Sequence, residues 1–450
     1  MSMKESKVKF VIFGLGMVGS SFLRIVKKEG LFDANSWYVI DKSSKNADVF
    51  VKIGGKTENF LTINIQWCKY DNIFSLLNAG DYLLDFSSSE SNTDLLQICI
   101  SKNIHYLSTC SLPHEEPGES VPDYHDFCIY RNIKKNTNSV APTSIIEFGM
   151  NPGMVSCFMK QAIKEIVRKD TGNFVTSHKD RLQSLLDCNK YAEVAQLLEI
   201  ETIHVSDIDT TEPKFSPRPN IIYSTWNVES FYKETTALSE ISLGTDIDCK
   251  KLSKIMQEHN THDGFFMSKN LSIYSSEQSY SPQGSFMGYI VPHEEIYSIS
   301  NFLSIYKGSK LVYKPSVYFV YLPCPISTKS LFENVGSEFD LTNTYLMEPK
   351  DMSKGGEAVG IVIDGKNFQT RYFGNNLEGA IGEDTPTILQ VSASAYAAFR
   401  YMLEMPNQGF LFPEELDDEK ILKYALPYLK EYVSFATPSL KRTFFKKYGA

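Results

Sequence analysis

The stretch "FVIFGLGMVGSSFLRIV" limits the fold of this chain more than any other feature. An apolar run typical of a buried strand ends at a glycine and passes at once into a stretch with helical spacing. Gly14, Gly16 and Gly19 form the pattern G-x-G-x-x-G, in which successive glycines permit a tight turn, close approach of a pyrophosphate and packing of helix on strand. The turn, with Met17 and Val18, therefore predicts a dinucleotide site. An ordinary strand-to-helix turn without a ligand is the alternative.

The identity of the dinucleotide depends on Asp41, which ends the next strand, "WYVID", 22 residues after Gly19. A carboxylate there accepts hydrogen bonds from the adenosine ribose and repels a 2′-phosphate, which favours NAD over NADP. Lys42 and Lys45 follow directly and weaken that preference.

The ends of two later strands are expected to face the nicotinamide half of the cofactor, because ligands bind at the carboxyl edge of such sheets. The positions, in "DFSSSES" and "STC", are Ser87, Ser88, Thr109 and Cys110. Side chains of this kind also cap helices, so that a purely structural role is the alternative.

The order of strands and helices predicts an α/β protein with two kinds of sheet. Over residues 1–150, apolar strands alternate with helical stretches, which indicates a doubly wound, Rossmann-type parallel sheet that binds NAD. Over residues 151–385, strands such as "EAVGIVIDG" and "NFQTRYFG" indicate a second, α+β domain with a mixed or antiparallel sheet for substrate binding and dimerisation. Residues 386–450 begin with the small-residue helix "TPTILQVSASAYAAFRYMLEMP" and are expected to pack back on the first domain as a helical segment.

Composition narrows the class of partner. The net charge of −9 disfavours nucleic acid and suits a cationic substrate, although an acidic surface also serves solubility alone. The eight cysteines form no C-x-x-C pair and have no histidine at ligand spacing, so we expect reduced thiols and no metal site. No apolar run reaches the roughly 18 residues of a membrane span, and no signal-type apolar segment follows the N-terminus. We therefore expect a cytoplasmic protein without a membrane partner.

Four further motifs carry a family resemblance. They are "NPGMV" at 151–155, "STWNVESFYKE" at 224–234, "GYIVPHEEIYSI" at 288–299 and "LQVSASAYAAF" at 389–399. In order and spacing they resemble the bacterial homospermidine synthases, within the saccharopine-dehydrogenase-like oxidoreductases, and the likeness runs from "GLGMVG" to "ALPYLKEY" near residue 430. The resemblance implies a homodimeric enzyme that holds NAD as a hydride shuttle. Such an enzyme joins two putrescines, or spermidine and putrescine, into homospermidine through imines and releases ammonia or 1,3-diaminopropane.

The resemblance also assigns active-site residues. Those that match the family's active site are Trp226, Glu234, His293 and Asn151, and Asp207 stands where relatives usually carry glutamate. Three departures weaken the match. The Trp-rich "GWGTHE" usual after the tryptophan motif reads "SLGTDI" at 242–247. Glu294 replaces the glycine of the family's "HGE" signature, and Leu112 stands where a carboxylate is usual, with Glu115 and Glu116 nearby.

The chemistry of a diamine explains why such residues are needed. Each end carries an ammonium group at neutral pH, so a site needs acceptors at both ends and a base that frees the reacting amine. The intermediates are iminium cations, which an aromatic face such as that of Trp226 attracts without taking a proton. Without the resemblance, the simpler interpretations are a packed tryptophan, a structural histidine and a solvated glutamate.

Two other functions stay open. A dehydrogenase of the carboxyspermidine or saccharopine type would join an amine to an aldehyde with free NAD(P)H, and its carboxylate-bearing substrate would call for a positioned arginine or lysine. The four family motifs and "ALPYLKEY" contain no arginine, and their only lysines are Lys233 and Lys430. This favours the synthase. An inactive NAD-binding sensor would keep the fold without the chemistry.

Overall fold

The computed structural model describes residues 8–63, 70–87, 92–110, 123–248, 252, 256–260, 264–336 and 340–447. The chain divides into two compact units. Unit 1 consists of Met1–Met154 and Ile388–Tyr428, and unit 2 of Val155–Thr387 and Leu429–Ala450.

Within the described residues, unit 1 is built on seven parallel strands. Numbered along the whole chain, they are β1 Phe10–Phe13, β2 Trp37–Asp41, β3 Phe60–Thr62, β4 Tyr82–Asp85, β5 His105–Ser108, β6 Ser144–Ile145 and β22 Phe410–Leu411. Its helices are α1 Met17–Lys28, α2 Ala47–Ile53, α3 Asp71–Phe74, α4 Asn92–Ser101, α5 Asp123–Asn136 and most of α13 Pro386–Glu404 and α14 Asp418–Leu429. The sheet order β22-β6-β5-β4-β1-β2-β3 is that of a doubly wound dinucleotide-binding fold, with β22 added at one edge. The predicted parallel sheet is confirmed.

Aromatic packing around β1 fixes this sheet against α13. The Phe10 ring stacks on Trp37 at 4.8 Å between centroids. Phe399 of α13 meets both rings edge-on, at 5.6 and 5.7 Å. The small residues of α13 allow this close approach, because several alanines on the helix are fully buried.

Unit 2 contains a mixed sheet. Its strands are β7 Ile200–Asp209, β8 Glu212–Pro213, β9 Ile222–Ser224, β10 Leu238–Ser242, β11 Met256–Asn260, β12 Phe265–Leu271, β13 Ser276–Ser281, β14 Gly284–Val291, β15 Ile305–Lys307, β16 Lys310–Tyr313, β17 Ser316–Leu322, β18 Thr344–Leu346, β19 Met352–Lys354, β20 Gly356–Gly365, β21 Arg371–Glu378 and β23 Tyr432–Ala436. Its helices are most of α6 Met154–Lys169, and α7 Asn173–Ser177, α8 Lys179–Asp187, α9 Tyr191–Leu198, α10 Val228–Thr236, α11 Glu295–Phe302, α12 Pro325–Asn334 and α15 Thr443–Lys447.

The main sheet of unit 2 runs β11-β12-β10-β17-β7-β20-β21-β23, and β14 joins the hairpin partner β13 to β17. The pair β17–β7 is parallel and its neighbours pair antiparallel, which confirms the expected mixed sheet. The quoted stretch "EAVGIVIDG" lies within β20, and the second half of "NFQTRYFG" begins β21 at Arg371.

One face of the central strands carries a group of acidic and aromatic side chains. Tyr321 lies opposite Asp207 in the pair β17–β7, and Glu357 lies opposite Asp209 in the pair β20–β7. Because successive side chains of a strand alternate between faces, Asp207 and Asp209 share a face, and Phe319 shares it with Tyr321. Strand register therefore brings three acidic and two aromatic side chains together.

Residues 386–450 were expected to pack together on the first domain, but they divide between the two units. Leu429–Ala450 clusters with unit 2, because β23 pairs with β21 instead of continuing a helix. Further on, the buried Glu277 carboxylate accepts hydrogen bonds from the backbone N–H groups of Thr443 and Phe444, at 2.9 and 2.8 Å. Strand pairing and this buried cap hold the final helix on unit 2.

Two observations bear on the class of protein. The cysteines within the described ranges, at 99, 110, 128, 157, 188 and 324, form no disulfide bond. None of the helices in that part of the chain is long and apolar enough to cross a membrane.

Candidate functional site

The glycine turn of unit 1 has the geometry of a phosphate cradle. Gly14 has φ +87°, and a Cβ there would lie 2.9 Å from the Phe86 carbonyl oxygen. A Cβ on Gly19 would lie 2.5 Å from the Gly14 carbonyl oxygen, whereas one on Gly16 would meet no heavy atom of a described residue within 4 Å. The first and third glycines thus allow close packing, and the second faces open space at the start of α1, where free N–H groups favour an anion.

Asp41 fastens the next strand to this turn. Its carboxylate accepts hydrogen bonds from the Leu15 N–H at 2.6 Å, the Ser43 N–H at 2.7 Å and the Asn46 side chain at 3.1 Å. A carboxylate has about four acceptor positions, so a further donor such as a ribose hydroxyl still finds a partner. The ribose contact stays a prediction, and Lys42 and Lys45 are exposed beside it.

The ends of β4 and β5 are organised by a buried carboxylate. Asp85 accepts hydrogen bonds from the Ser87 N–H, the Asn92 side chain and the Tyr106 hydroxyl, at 3.0, 3.0 and 2.8 Å. Burial raises the pKa of Asp85. Asn92, the first residue of α4, thus donates to this carboxylate, and Ser87 is held by it at the sheet edge.

The remaining positions predicted at this edge are only partly described. Thr109 and Cys110 follow β5 directly and are half-buried. Ser88 lies outside the described residues, as do Leu112, Glu115 and Glu116. Asn151 belongs to unit 1 and lies half-buried in the turn before α6, which begins at Met154.

In unit 2, Trp226 lies in the turn between β9 and α10, and hydrogen bonds tie that turn to the central strands. Asn227 begins the helix, since its side-chain oxygen accepts the backbone N–H three residues further on at 3.0 Å. Thr225 Oγ1 donates to Asp209 Oδ2 at 2.8 Å, and the indole Nε1–H donates a long hydrogen bond to the Tyr321 hydroxyl at 3.4 Å. The indole is half-buried. Trp226 is therefore a positioned side chain and not a fully buried core anchor.

His293 is held between two carboxylates and an aromatic ring. Its imidazole stacks on Phe319 with centroids 4.6 Å apart and planes at 13°. Nδ1 donates to the carboxylate of Glu295 and lies 3.1 Å from Glu294 Oε2. Burial works to lower the pKa of His293, but Glu295, Glu294 and Glu234 raise it well above its ordinary value. We call His293, Glu294 and Glu295 the histidine clamp.

Donor atoms of the histidine clamp lie within 4.8 Å of one another, a spacing that metal ligands also show. The Nδ1–H already donates to a carboxylate, and a nitrogen that carries a proton does not bind a metal. We therefore interpret the clamp as a carboxylate–imidazolium ion pair.

Glu234, near the end of α10, is a carboxyl group with an unusual proton affinity. Burial raises the pKa of Glu234 to about 8, opposed by His293 and reinforced by the charges of Glu294, Asp207 and Glu295. Glu229 on the same helix differs, since it is exposed and pairs with Lys233 at 3.2 Å. The structure thus separates a half-buried glutamate suited to proton transfer, Glu234, from a solvated one, Glu229.

Three more buried carboxyl groups lie beside Tyr321. Asp207, Asp209 and Glu357 are each less than 5% exposed. Burial, followed by the charges of Asp207 and Asp209, raises the pKa of Glu357 well above its ordinary value, and Glu357 shares a hydrogen bond with Asp207. A hydrogen bond between two carboxyl groups requires a proton on one of them, so Asp207 and Glu357 share a proton.

We call Asp207, Asp209, Glu234, Glu294, Glu295 and Glu357 the acidic cluster. The structure brings four of the predicted residues together in unit 2, namely Trp226, Glu234, His293 and Asp207. Asp209 and Glu357 were missed by sequence reasoning. The available signal was "SDID" and "GGEAVG", in which acids interrupt runs that otherwise form buried strands.

Comparison with known proteins accounts for both units. A family model described as the saccharopine dehydrogenase NADP binding domain matches residues 10–135, and one described as the saccharopine dehydrogenase C-terminal domain matches residues 149–434. The chain belongs to the saccharopine dehydrogenase family.

Relatives are similar over nearly the full length. Homospermidine synthase of Blastochloris viridis is 24% identical over 95% of this chain and 91% of that protein, and that of Mesorhizobium japonicum is 22% identical over 96% and 91%. The crystal structure of homospermidine synthase from Legionella pneumophila in complex with NAD has a TM-score of 0.81 at 25% identity, covering 96% of this chain and 92% of that one. Saccharopine dehydrogenase from Saccharomyces cerevisiae shares the fold, with a TM-score of 0.56 at 9% identity, covering 96% of this chain and all of that one.

A matched pair of substitutions tests the cradle. Gly16→Ala adds a methyl group where no described atom opposes it, so we expect a normal melting temperature and an NAD affinity reduced about tenfold or more by obstruction of the pyrophosphate. Gly19→Ala forces a methyl group against the Gly14 carbonyl, so we expect a loss of unfolding free energy of about 1–3 kcal/mol. Calorimetric titration with NAD and thermal unfolding measure the two effects. If a folded Gly16→Ala protein bound NAD with unchanged affinity, Gly16 would not be part of the cofactor site.

Proposed function

We propose that this protein is a homospermidine synthase, an NAD-dependent enzyme that joins two putrescines and releases ammonia. Spermidine is proposed as an alternative donor, with 1,3-diaminopropane as the product released. The proposal rests on the full-length similarity to homospermidine synthases and on the chemistry of unit 2. The observation that carries it is the combination of Trp226, hydrogen-bonded to Tyr321, with a half-buried Glu234 whose pKa desolvation raises to about 8.

The residues of unit 1 fit NAD. The open side of Gly16 and the free N–H groups of α1 suit the pyrophosphate, and Asp41 suits the adenosine ribose. We assign the flanking turn residues Met17 and Val18 to the same contact surface. NAD, when bound, supplies the acceptor that takes a hydride from the diamine and later returns it to the product imine.

Glu234 is assigned as the base that frees the reacting amine. An alkylammonium group has a pKa of about 10, so a carboxylate with an ordinary pKa near 4 is a weak base towards it. The pKa of about 8 narrows this difference and makes proton transfer from the ammonium group to Glu234 more favourable. His293, held in the clamp, limits how far the pKa of Glu234 rises, because its positive charge favours the ionised carboxylate.

Trp226 is assigned to the iminium stages of the reaction. Loss of ammonia and attack by the second amine both pass through cationic carbon–nitrogen species. A carboxylate beside that carbon would hold the attacking amine protonated, whereas an aromatic face attracts the cation and takes no proton. The hydrogen bonds of Trp226 to Tyr321 and of Thr225 to Asp209 hold the ring in one place for this role.

The carboxyl groups of Asp207 and Glu357 are assigned to the ammonium group at the far end of the diamine. Asp207 and Glu357 share a hydrogen bond and are buried beside Tyr321, so an ammonium group that replaced their shared proton would restore charge balance. Asn151 is assigned to the cofactor-side contact that the resemblance implies. We also propose a homodimer and a cytoplasmic location.

The alternative of a reductive dehydrogenase with a carboxylate-bearing substrate has less support. The groups that act most strongly on Glu234 are one histidine and three carboxylates, a surrounding that repels a substrate carboxylate.

The function is tested by incubating the purified protein with putrescine and a catalytic amount of NAD. We expect homospermidine and ammonia in equal amounts without net change in NADH. Glu234→Gln protein, prepared in the same way, controls for contaminating enzymes and should form little product. Product formation that required stoichiometric NADH and an added aldehyde would favour the reductive dehydrogenase instead.

The aromatic role is tested by truncating Trp226. Trp226→Phe keeps a π face and should retain part of the turnover, whereas Trp226→Ala should lower kcat about tenfold or more, since a desolvated cation–π contact contributes about 2 kcal/mol. Tyr274→Ala serves as the control, because it removes an aromatic ring that is 61% exposed and outside the acidic cluster. Normal turnover by a folded Trp226→Ala protein would contradict the aromatic role.

A further inference from the structure

The backbone at Glu294 has a conformation that any residue can adopt. It precedes α11 with φ −63° and ψ −41°, an ordinary right-handed conformation that does not require the glycine of the resembling "HGE" motif. Its side chain is 16% exposed, so it lies mostly inside the protein. A carboxylate in this place is a property of this chain's own sequence.

The side chain of Glu294 points to the functional histidine. Glu294 Oε2 lies 3.1 Å from His293 Nδ1, the nitrogen that also donates to Glu295. Glu295 is 1% exposed, and Phe319 covers one face of the imidazole. The ring is therefore fixed in orientation, and two negative charges share one positive charge.

The second carboxylate of the clamp changes the charge balance of the acidic cluster. If Glu295 were the only carboxylate in the clamp, its negative charge would cancel the positive charge of the imidazolium. Glu294 adds a second negative charge to the clamp, and the charged groups that act on Glu234 are His293, Glu294, Asp207 and Glu295. Nearby negative charges favour the protonated form of a carboxyl group, and here that carboxyl group is Glu234.

We propose that Glu294 is a positioning residue for the reaction: with Glu295 it clamps His293 as an imidazolium, and its extra charge keeps Glu234 protonated until a cationic amine arrives. This inference rests on the proposed function. An ammonium group that enters the cluster supplies the positive charge that the proton on Glu234 had supplied, so that proton leaves to solvent. The Glu234 carboxylate then takes a proton from the ammonium group, which yields a neutral amine and a protonated Glu234.

The pH dependence of kcat/KM for putrescine tests this role. Glu294→Gln keeps the size and removes the charge, so the acid limb, which reports ionisation of Glu234 in the free enzyme, should move to lower pH by about one unit or more. Glu294→Asp keeps the charge and should restore most of the wild-type profile. Glu229→Gln removes an exposed charge from the same helix as Glu234 and should leave the profile unchanged.

A second measurement does not depend on turnover. In protein labelled with ¹⁵N-histidine, the His293 resonances, identified among the eight histidines by His293→Asn, report the protonation of the ring directly. We expect imidazolium in the wild type at neutral pH and a titration midpoint lowered by about one unit or more in Glu294→Gln. This shift is measured whether or not the wild type forms homospermidine, so a failure of the proposed function is distinguished from a failure of the inference.

One pattern of results would overturn the inference. If Glu294→Gln, folded as judged by its melting temperature, matched both the wild type and Glu229→Gln in the histidine titration, Glu294 would be a bystander of the clamp. A titration shift with an unchanged acid limb would likewise separate Glu294 from Glu234 and contradict the proposed coupling.

Discussion

Burial of several carboxyl groups around one imidazole is the constraint on which the rest of unit 2 depends. Ionised carboxylates are costly to bury, and a folded protein reduces that cost by pairing them, by hydrogen bonding or by keeping them protonated. All three occur here. The histidine clamp pairs charges, and Asp209 accepts a hydrogen bond from Thr225. Asp207 and Glu357 share a proton in the hydrogen bond between them. Within the described residues, one imidazolium faces several carboxyl groups in this cluster, and the proposed role of the substrate is to bring further positive charge with its ammonium groups.

The two units meet opposite chemical needs. Unit 1 offers a turn in which Gly16 has room beside it, with helix N–H groups for a phosphate anion. Unit 2 offers carboxylates and the face of Trp226 for a cation. An enzyme that binds an anionic dinucleotide and a cationic diamine requires both surfaces, and each arises from a simple structural device: a glycine turn in one unit and strand alternation in the other.

Prediction from sequence succeeded where local pattern decides the outcome. The glycine spacing and the apolar run before it specify β1, the turn and α1, since these depend on neighbours in the chain. The roles of Asp209 and Glu357 were not predictable, because they depend on the pairing of β7 with β20, which are separated by about 150 residues of sequence. The same holds for β23, whose pairing with β21 places the C-terminal residues in unit 2 and not in the helical segment expected for them.

The central claim is that the acidic cluster exchanges a proton for an ammonium group. It is tested most directly by calorimetric titration of the NADH-loaded enzyme with putrescine at pH 7, in two buffers with different ionisation enthalpies. The pKa of about 8 for Glu234 means that its carboxyl group is mostly protonated before binding, so the account predicts release of about one proton or more per putrescine, and less for Glu234→Gln. Tight binding of putrescine without proton release would contradict it.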